Sequence, residues 1–115
     1  MTSEFRDRAP GQVGGPRIVR DNPSASRFEV TVDGEVAGFA YYHDGRAGRD
    51  FTHTEIAADY AGQGVASQLI GQALDEARAA RRTVRPFCPF VRSFIEQHPD
   101  YLDLVDSPQR FGLSR

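Results

Sequence analysis

Cys88, His53, Glu55 and Tyr101 are this chain's candidates to move a proton or act as a nucleophile. Cys88 stands directly before Pro89, and proline is favoured at the first position of a helix. That spacing predicts the thiol at a helix N-cap, where the positive end of the dipole favours thiolate. The alternative role for a lone cysteine is that of a small buried apolar side chain. His53 and Glu55 lie two apart in a segment that reads as a strand, so they share a face. One could take a proton while the other orients it, imidazole being the side chain that exchanges protons near neutral pH. A polar pair on a sheet surface has the same spacing. Two such groups make a poor metal site, and no metal is expected. Tyr101 brings a phenol in a segment where tyrosine also serves packing.

The stretch with the strongest constraint is Tyr60-Ala61-Gly62-Gln63-Gly64-Val65-Ala66-Ser67. It falls where a predicted strand, residues 50–57, gives way to a predicted helix, residues 64–81. Two glycines and an alanine let backbone pass close to a ligand, because no side chain blocks the approach. The helix that begins there offers unpaired N–H groups and a positive dipole end, which together favour phosphate. A Walker loop requires a lysine after its last glycine, and Val65 follows Gly64. A dinucleotide fingerprint requires a third glycine where this chain has Ser67, and an acidic residue ending the next strand. Neither reading fits.

Residues 27–32 alternate, with Phe28, Val30 and Val32 on one face and Arg27, Glu29 and Thr31 on the other. Asp33-Gly34 predicts a hairpin into a second, antiparallel strand over residues 35–43. There Val36, Ala40 and Tyr42 are expected on one face and Ala37, Phe39 and Tyr41 on the other, a strand covered on both sides. Asp44-Gly45 predicts the turn into the strand at 50–57. Along the helix, Ala66, Leu69, Ile70, Ala73, Leu74 and Ala77 form one apolar stripe. Gly71 inside it is tolerable if the helix lies close against the sheet. A short strand over residues 83–87 should run parallel to the third through this crossover. Pro86 cannot donate to a ladder, so one side of that strand should be unpaired or diverging. A helix over residues 90–97 is stopped at His98-Pro99. The last apolar residues, Tyr101 to Val105, should dock as a turn or strand.

With 115 residues the chain has room for one core, and 39% hydrophobic with 26% charged residues is ordinary for a soluble domain. Residues 1–16 are rich in Gly and Pro and read as a flexible leader. The domain is expected over 17–110, with a tail at 111–115. A net charge of −2 argues against general nucleic-acid binding, and no aromatic-rich basic strand suggests RNA. Charged residues interrupt the start of the chain, so no signal peptide is expected; no apolar run reaches membrane-spanning length. One cysteine excludes an internal disulfide. A cytoplasmic protein is expected.

The order of hairpin strands, then strand, glycine turn, helix and strand, resembles the GCN5-related N-acetyltransferase superfamily. Gly64 and Ala66 match that family's pyrophosphate motif, Gln/Arg-x-x-Gly-x-Gly/Ala, while Ala61 departs from its Gln or Arg. His53-Thr54-Glu55, Gly62-Gln63-Gly64-Val65-Ala66-Ser67, Pro86-Phe87-Cys88-Pro89-Phe90 and His98-Pro99-Asp100-Tyr101 look like the small YjdJ-type acetyltransferases. This closer resemblance covers nearly everything after the leader. It implies an α+β, minimal acetyltransferase fold with splayed parallel strands and a short C-terminal helix. It also implies acetyl-CoA as cosubstrate and an amine-bearing acceptor; from charge and hydropathy no nucleic acid or membrane partner is expected, and oligomeric state is left open. By the same resemblance, Ile56 offers backbone to pantetheine, and Gly62, Gln63, Gly64, Val65, Ala66 and Ser67 hold the pyrophosphate. Cys88 contacts the cofactor, and either lines the pocket or accepts acetyl covalently. His53 and Glu55 serve the amine proton, and Tyr101 the leaving thiolate. Arg82, Arg85 and Arg92 are candidates for the 3′-phosphate. The alternative is a coenzyme A-binding sensor or interaction module without turnover.

Overall fold

The computed structural model describes residues 16–113; the predicted leader, but for Pro16, and the last two residues lie outside them. A five-stranded sheet has the order β1 (Arg17–Asn22), β2 (Arg27–Val32), β3 (Glu35–Gly45), β4 (Gly48–Ile56) and β5 (Val84–Pro86). Neighbours are antiparallel up to β4, and β4 pairs β5 in parallel. The crossover between β4 and β5 is α1 (Val65–Ala79), and α2 (Pro89–Gln97) follows β5. The fold is therefore α+β, as the acetyltransferase resemblance implied. No helix among the described residues is long and apolar enough to cross a membrane.

Asp33 and Gly34 both have positive φ, 53° and 85°, which makes the predicted hairpin a type I′ turn. The second turn differs from expectation. Asp44 and Arg49 face each other across the ladder and form a two-pronged ion pair, at 2.7 and 2.9 Å. That pair keeps the ladder going, so β3 runs on to Gly45 and β4 begins already at Gly48. Arg49 holds the Asp44 carboxyl below the usual carboxylate range, chiefly by this hydrogen bond. Its guanidinium lies 3.9 Å above the Tyr42 ring.

The faces of β3 also differ. The pairing shifts between Val30 and Thr31, so that Ala37 is an extra residue on β3. Such a bulge moves the residues beyond it to the other face. Ala37, Ala40 and Tyr42 are buried together, whereas Val36 is 49% exposed. Both helices join the core on that one face. Leu69, Ile70 and Leu74 of α1 and Val91 and Ile95 of α2 are buried there with Phe28, Val30 and Phe51. At about 1.5–3 kcal/mol for each large apolar side chain, this burial outweighs the cost of Gly71 in the helix, about 1 kcal/mol. The neighbour a Cβ on Gly71 would meet is Phe94 of α2, so the close approach is between helices. The other sheet face stays partly open. It carries Arg27, Phe39 and Tyr41, with the Arg27 guanidinium 4.5 Å over Phe39.

Helix α1 ends at Ala79, short of the predicted 81, because Arg81 turns left-handed at φ 57°. Arg82 N–H then reaches the Ala77 carbonyl and Arg81 N–H that of Arg78, a Schellman stop made without glycine. Beyond α2 the chain forms a 3₁₀ turn, Pro99–Leu104, and Val105 bridges Val84 in parallel. Leu113, in the segment read as a tail, is 2% exposed and belongs to the core.

Tyr42 is 7% exposed and donates a 2.6 Å hydrogen bond to Asp21 of β1. Burial, then this carboxylate, pushes its pKa up to about 12. The unfolded chain releases the phenol proton near pH 10, so the stabilisation is complete below that pH. It is then lost as pH rises toward 12, by about 2 kcal/mol. Urea unfolding at about pH 9 and about pH 11.5 should show this loss, and Tyr42→Phe should shrink it. An equal loss in both chains would assign it to other groups.

Candidate functional site

Beyond Ile56 the chain makes a 3₁₀ turn, Ala58–Tyr60, and then the glycine turn into α1. Gly62 and Gly64 have φ of 75° and 79°, conformations that side chains rarely adopt. Gly64 is the N-cap of α1 and, being glycine, brings no side chain to cap that helix. The intrahelical ladder starts at Gln68, whose N–H reaches the Gly64 carbonyl at 3.1 Å. The N–H groups of Val65, Ala66 and Ser67 precede it and have no partner inside the helix. They stand at a groove of about 530 Å³ lined by Ile56, Tyr60, Ala61, Gly62, Gly64, Ala66, Ser67 and Phe90. Val65 points into the core, fully buried, so only its backbone can serve a ligand. The Gln63 side chain turns back and donates to the Asp59 carbonyl at 3.0 Å, bracing the turn.

Strands β4 and β5 pair at Arg49–Val84, Asp50–Arg85 and Phe51–Pro86, and no further. Pro86 has no N–H to give, and Phe87 N–H bonds back to the Arg85 carbonyl at 3.1 Å, which curls the chain away. Cys88 N–H makes a last link to the Phe51 carbonyl at 2.9 Å. Beyond it β4 continues to Ile56, and among the described residues β3 is the one strand paired with it there, so its other edge faces a wedge. A second shift in the β3–β4 pairing leaves Thr52 as an extra residue beside this opening.

Cys88 is the N-cap of α2, as predicted, and is 3% exposed. Its Sγ lies 3.4 Å from Oγ1 of Thr54, which is also buried. His53 and Glu55 lie on the opposite, open face, exposed by 55% and 59%, with Nε2 and Oε2 2.8 Å apart. The His53 ring stacks on Tyr41, their centroids 6.4 Å apart and their planes at 19°. The thiol and the imidazole–carboxylate pair thus lie on opposite faces of one strand, beside its unpaired edge. Tyr101 goes elsewhere: its hydroxyl donates to Asp75 at 2.7 Å and its ring packs on Phe94. The Asp75 bond first, and burial second, raise its pKa above the usual phenol value. Asp75 is eleven residues along α1 from Gly64, about 16 Å at 1.5 Å per residue.

The predicted phosphate-facing arginines are engaged. Arg85 pairs with Asp50 at 2.8 Å, Arg92 donates to the Pro86 and Phe87 carbonyls, and Arg82 lies 3.7 Å from Asp44. Among the described residues the cation beside the cradle is Arg17 of β1, which donates to the Gln63 carbonyl at 2.9 Å and to Gln68 Oε1 at 3.2 Å. Sequence spacing gave no sign of this contact across 46 residues. Tyr60 and Phe90 were also missed as groove walls. Phe90, 44% exposed on an otherwise amphipathic helix, is the residue whose exposure could have marked it.

A family model described as GCN5-related N-acetyl-transferase matches residues 27–104, from β2 to the end of the last long 3₁₀ turn. Protein NATD1 of Mus musculus is 27% identical over 88 residues, covering 75% of this chain and 80% of the mouse protein.

Proposed function

Because the chain belongs to the GCN5-related N-acetyltransferase family, we propose that it moves an acetyl group from coenzyme A to an amine by direct transfer. Family membership supports acyl transfer as the reaction class. The observation that carries the finer reading is the glycine-capped start of α1 opening on a groove, beside two strands that stop pairing. A diphosphate fits such a site because first-turn amides and the helix dipole favour negative charge. Gly62 and Gly64 keep Cβ atoms out of the turn, and the freed edge of β4 up to Ile56 gives amide-bonding groups to a pantetheine arm.

Acetyl-CoA supplies a thioester, whose acyl carbon bonds the amine nitrogen as the C–S bond breaks. The chain's own part is position, a path for one proton, and a dry wall. With Nε2–H donating to Glu55, His53 keeps Nδ1 free to take the amine proton. Glu55 and the Tyr41 ring orient the imidazole. Cys88, buried against Thr54, lines the inner side of the wedge. The open face around His53 suits an amine carried on a peptide or another extended molecule.

Isothermal titration with acetyl-CoA is expected to give saturable one-to-one binding. Free thiol should then appear when amines or peptides are added. Absence of binding would end this reading. Binding without thiol release, across a broad set of amines, would instead support a sensor.

A further inference from the structure

Resting on the coenzyme A reading above, we propose that Arg17 is a positioning residue for the diphosphate, acting through the Gln63–Gly64 peptide. Arg17 belongs to β1, whose backbone pairs with β2 from Arg17–Val32 to Asn22–Arg27. Its guanidinium reaches out of the sheet to the turn before α1. One nitrogen donates to the Gln63 carbonyl and the other to the Gln68 side chain, one turn into the helix. The planar fork of arginine fits two acceptors at once, which a lysine ammonium on a flexible stem does less rigidly.

The consequence follows from the peptide bond itself. The Gln63 C=O and the Gly64 N–H belong to one planar unit, and the described residues contain no cis peptide. In a trans peptide these two groups point in opposite directions. By fixing the carbonyl toward itself, Arg17 fixes the Gly64 N–H away from itself. Gly64 lines the groove, so this amide joins the first-turn donors. Gly64 rests at φ 79° and glycine has wide backbone freedom, so this peptide would otherwise flip readily. Ala61, with its single methyl, brings no polar side chain to hold it. A Cβ on Gly64 would meet Arg17 at 3.8 Å, which shows how closely the guanidinium backs the turn. Its permanent positive charge also adds to the potential of the helix end.

Arg17→Ala, Arg17→Lys and the parent chain should be titrated with coenzyme A and with pantetheine, which lacks the diphosphate. The dissociation constant for coenzyme A is expected to rise about tenfold in Arg17→Ala and about threefold in Arg17→Lys. Pantetheine binding, followed by amide chemical shifts, should be unchanged. Equal coenzyme A affinity in all three chains would overturn the proposal, as would a parallel loss of pantetheine, the mark of a merely structural role. Should circular dichroism find Arg17→Ala unfolded, Arg17→Lys decides by the same two readouts. A parent chain that binds no coenzyme A would overturn the functional reading, whereas equal binding by parent and variants overturns the role of Arg17 alone.

Discussion

A His53→Ala chain is expected to transfer acetyl about a hundredfold more slowly, with KM for acetyl-CoA within about twofold of the parent. A positioned base contributes about a hundredfold or more, and His53 stands outside the groove that would bind the cofactor. Its ring is held from two sides, by Glu55 at 2.8 Å and by the Tyr41 face. Glu55→Gln keeps an acceptor for Nε2–H but removes the charge that stabilises imidazolium. A smaller fall, about tenfold in kcat, is therefore expected. Steady-state kinetics with thiol detection reads both. Unchanged kcat in His53→Ala would remove His53 from the mechanism. A rise in KM alone would recast it as a binding residue.

Gly48→Ala should cost about 3 kcal/mol or more of folding stability. Gly48 has φ 136°, and a Cβ there would overlap the Thr83 carbonyl oxygen. That carbonyl accepts the Arg49 N–H at 2.8 Å, the first link between β4 and the chain returning from α1. The methyl and the hydrogen bond compete for one place, and both involve backbone, which yields little. Gly45→Ala is the matched control, since its Cβ would meet nothing within 4 Å and its φ is ordinary. It should change stability by no more than about 0.5 kcal/mol. Urea midpoints of the two variants test the contrast. Similar values would mean that the Thr83 crossing relaxes freely.

The features legible in the sequence were those written in local chemistry. Asp33-Gly34 named its turn, the stripe from Ala66 to Ala77 named α1, and Pro86 named the place where parallel pairing stops. The bulge at Ala37 left no such mark, because an extra residue in an apolar run looks like any other. Alternation was carried straight through it, and Val36 was assigned to the wrong face. Strand β1 was missed because Arg17–Asn22 lies at the sheet edge with Ile18 exposed, held mainly by main-chain pairing. The end of α1 was overshot because Arg81 takes a conformation usually signalled by glycine. In the site, the glycine turn and its helix were readable as one unit. The brace from Arg17 and the wall at Phe90 come from tertiary packing, which spacing along the chain does not encode.

Helix α1 has the groove at its first turn and the Gly48–Thr83 crossing beyond its last. Its 15 residues span about 22 Å. Perturbations that far apart add nearly independently. An occupied groove would therefore lift the unfolding free energy by its own increment, about 2.7 kcal/mol when free ligand is a hundred times Kd. Saturation at one end of the rod should nearly restore the melting point of a chain weakened at the other.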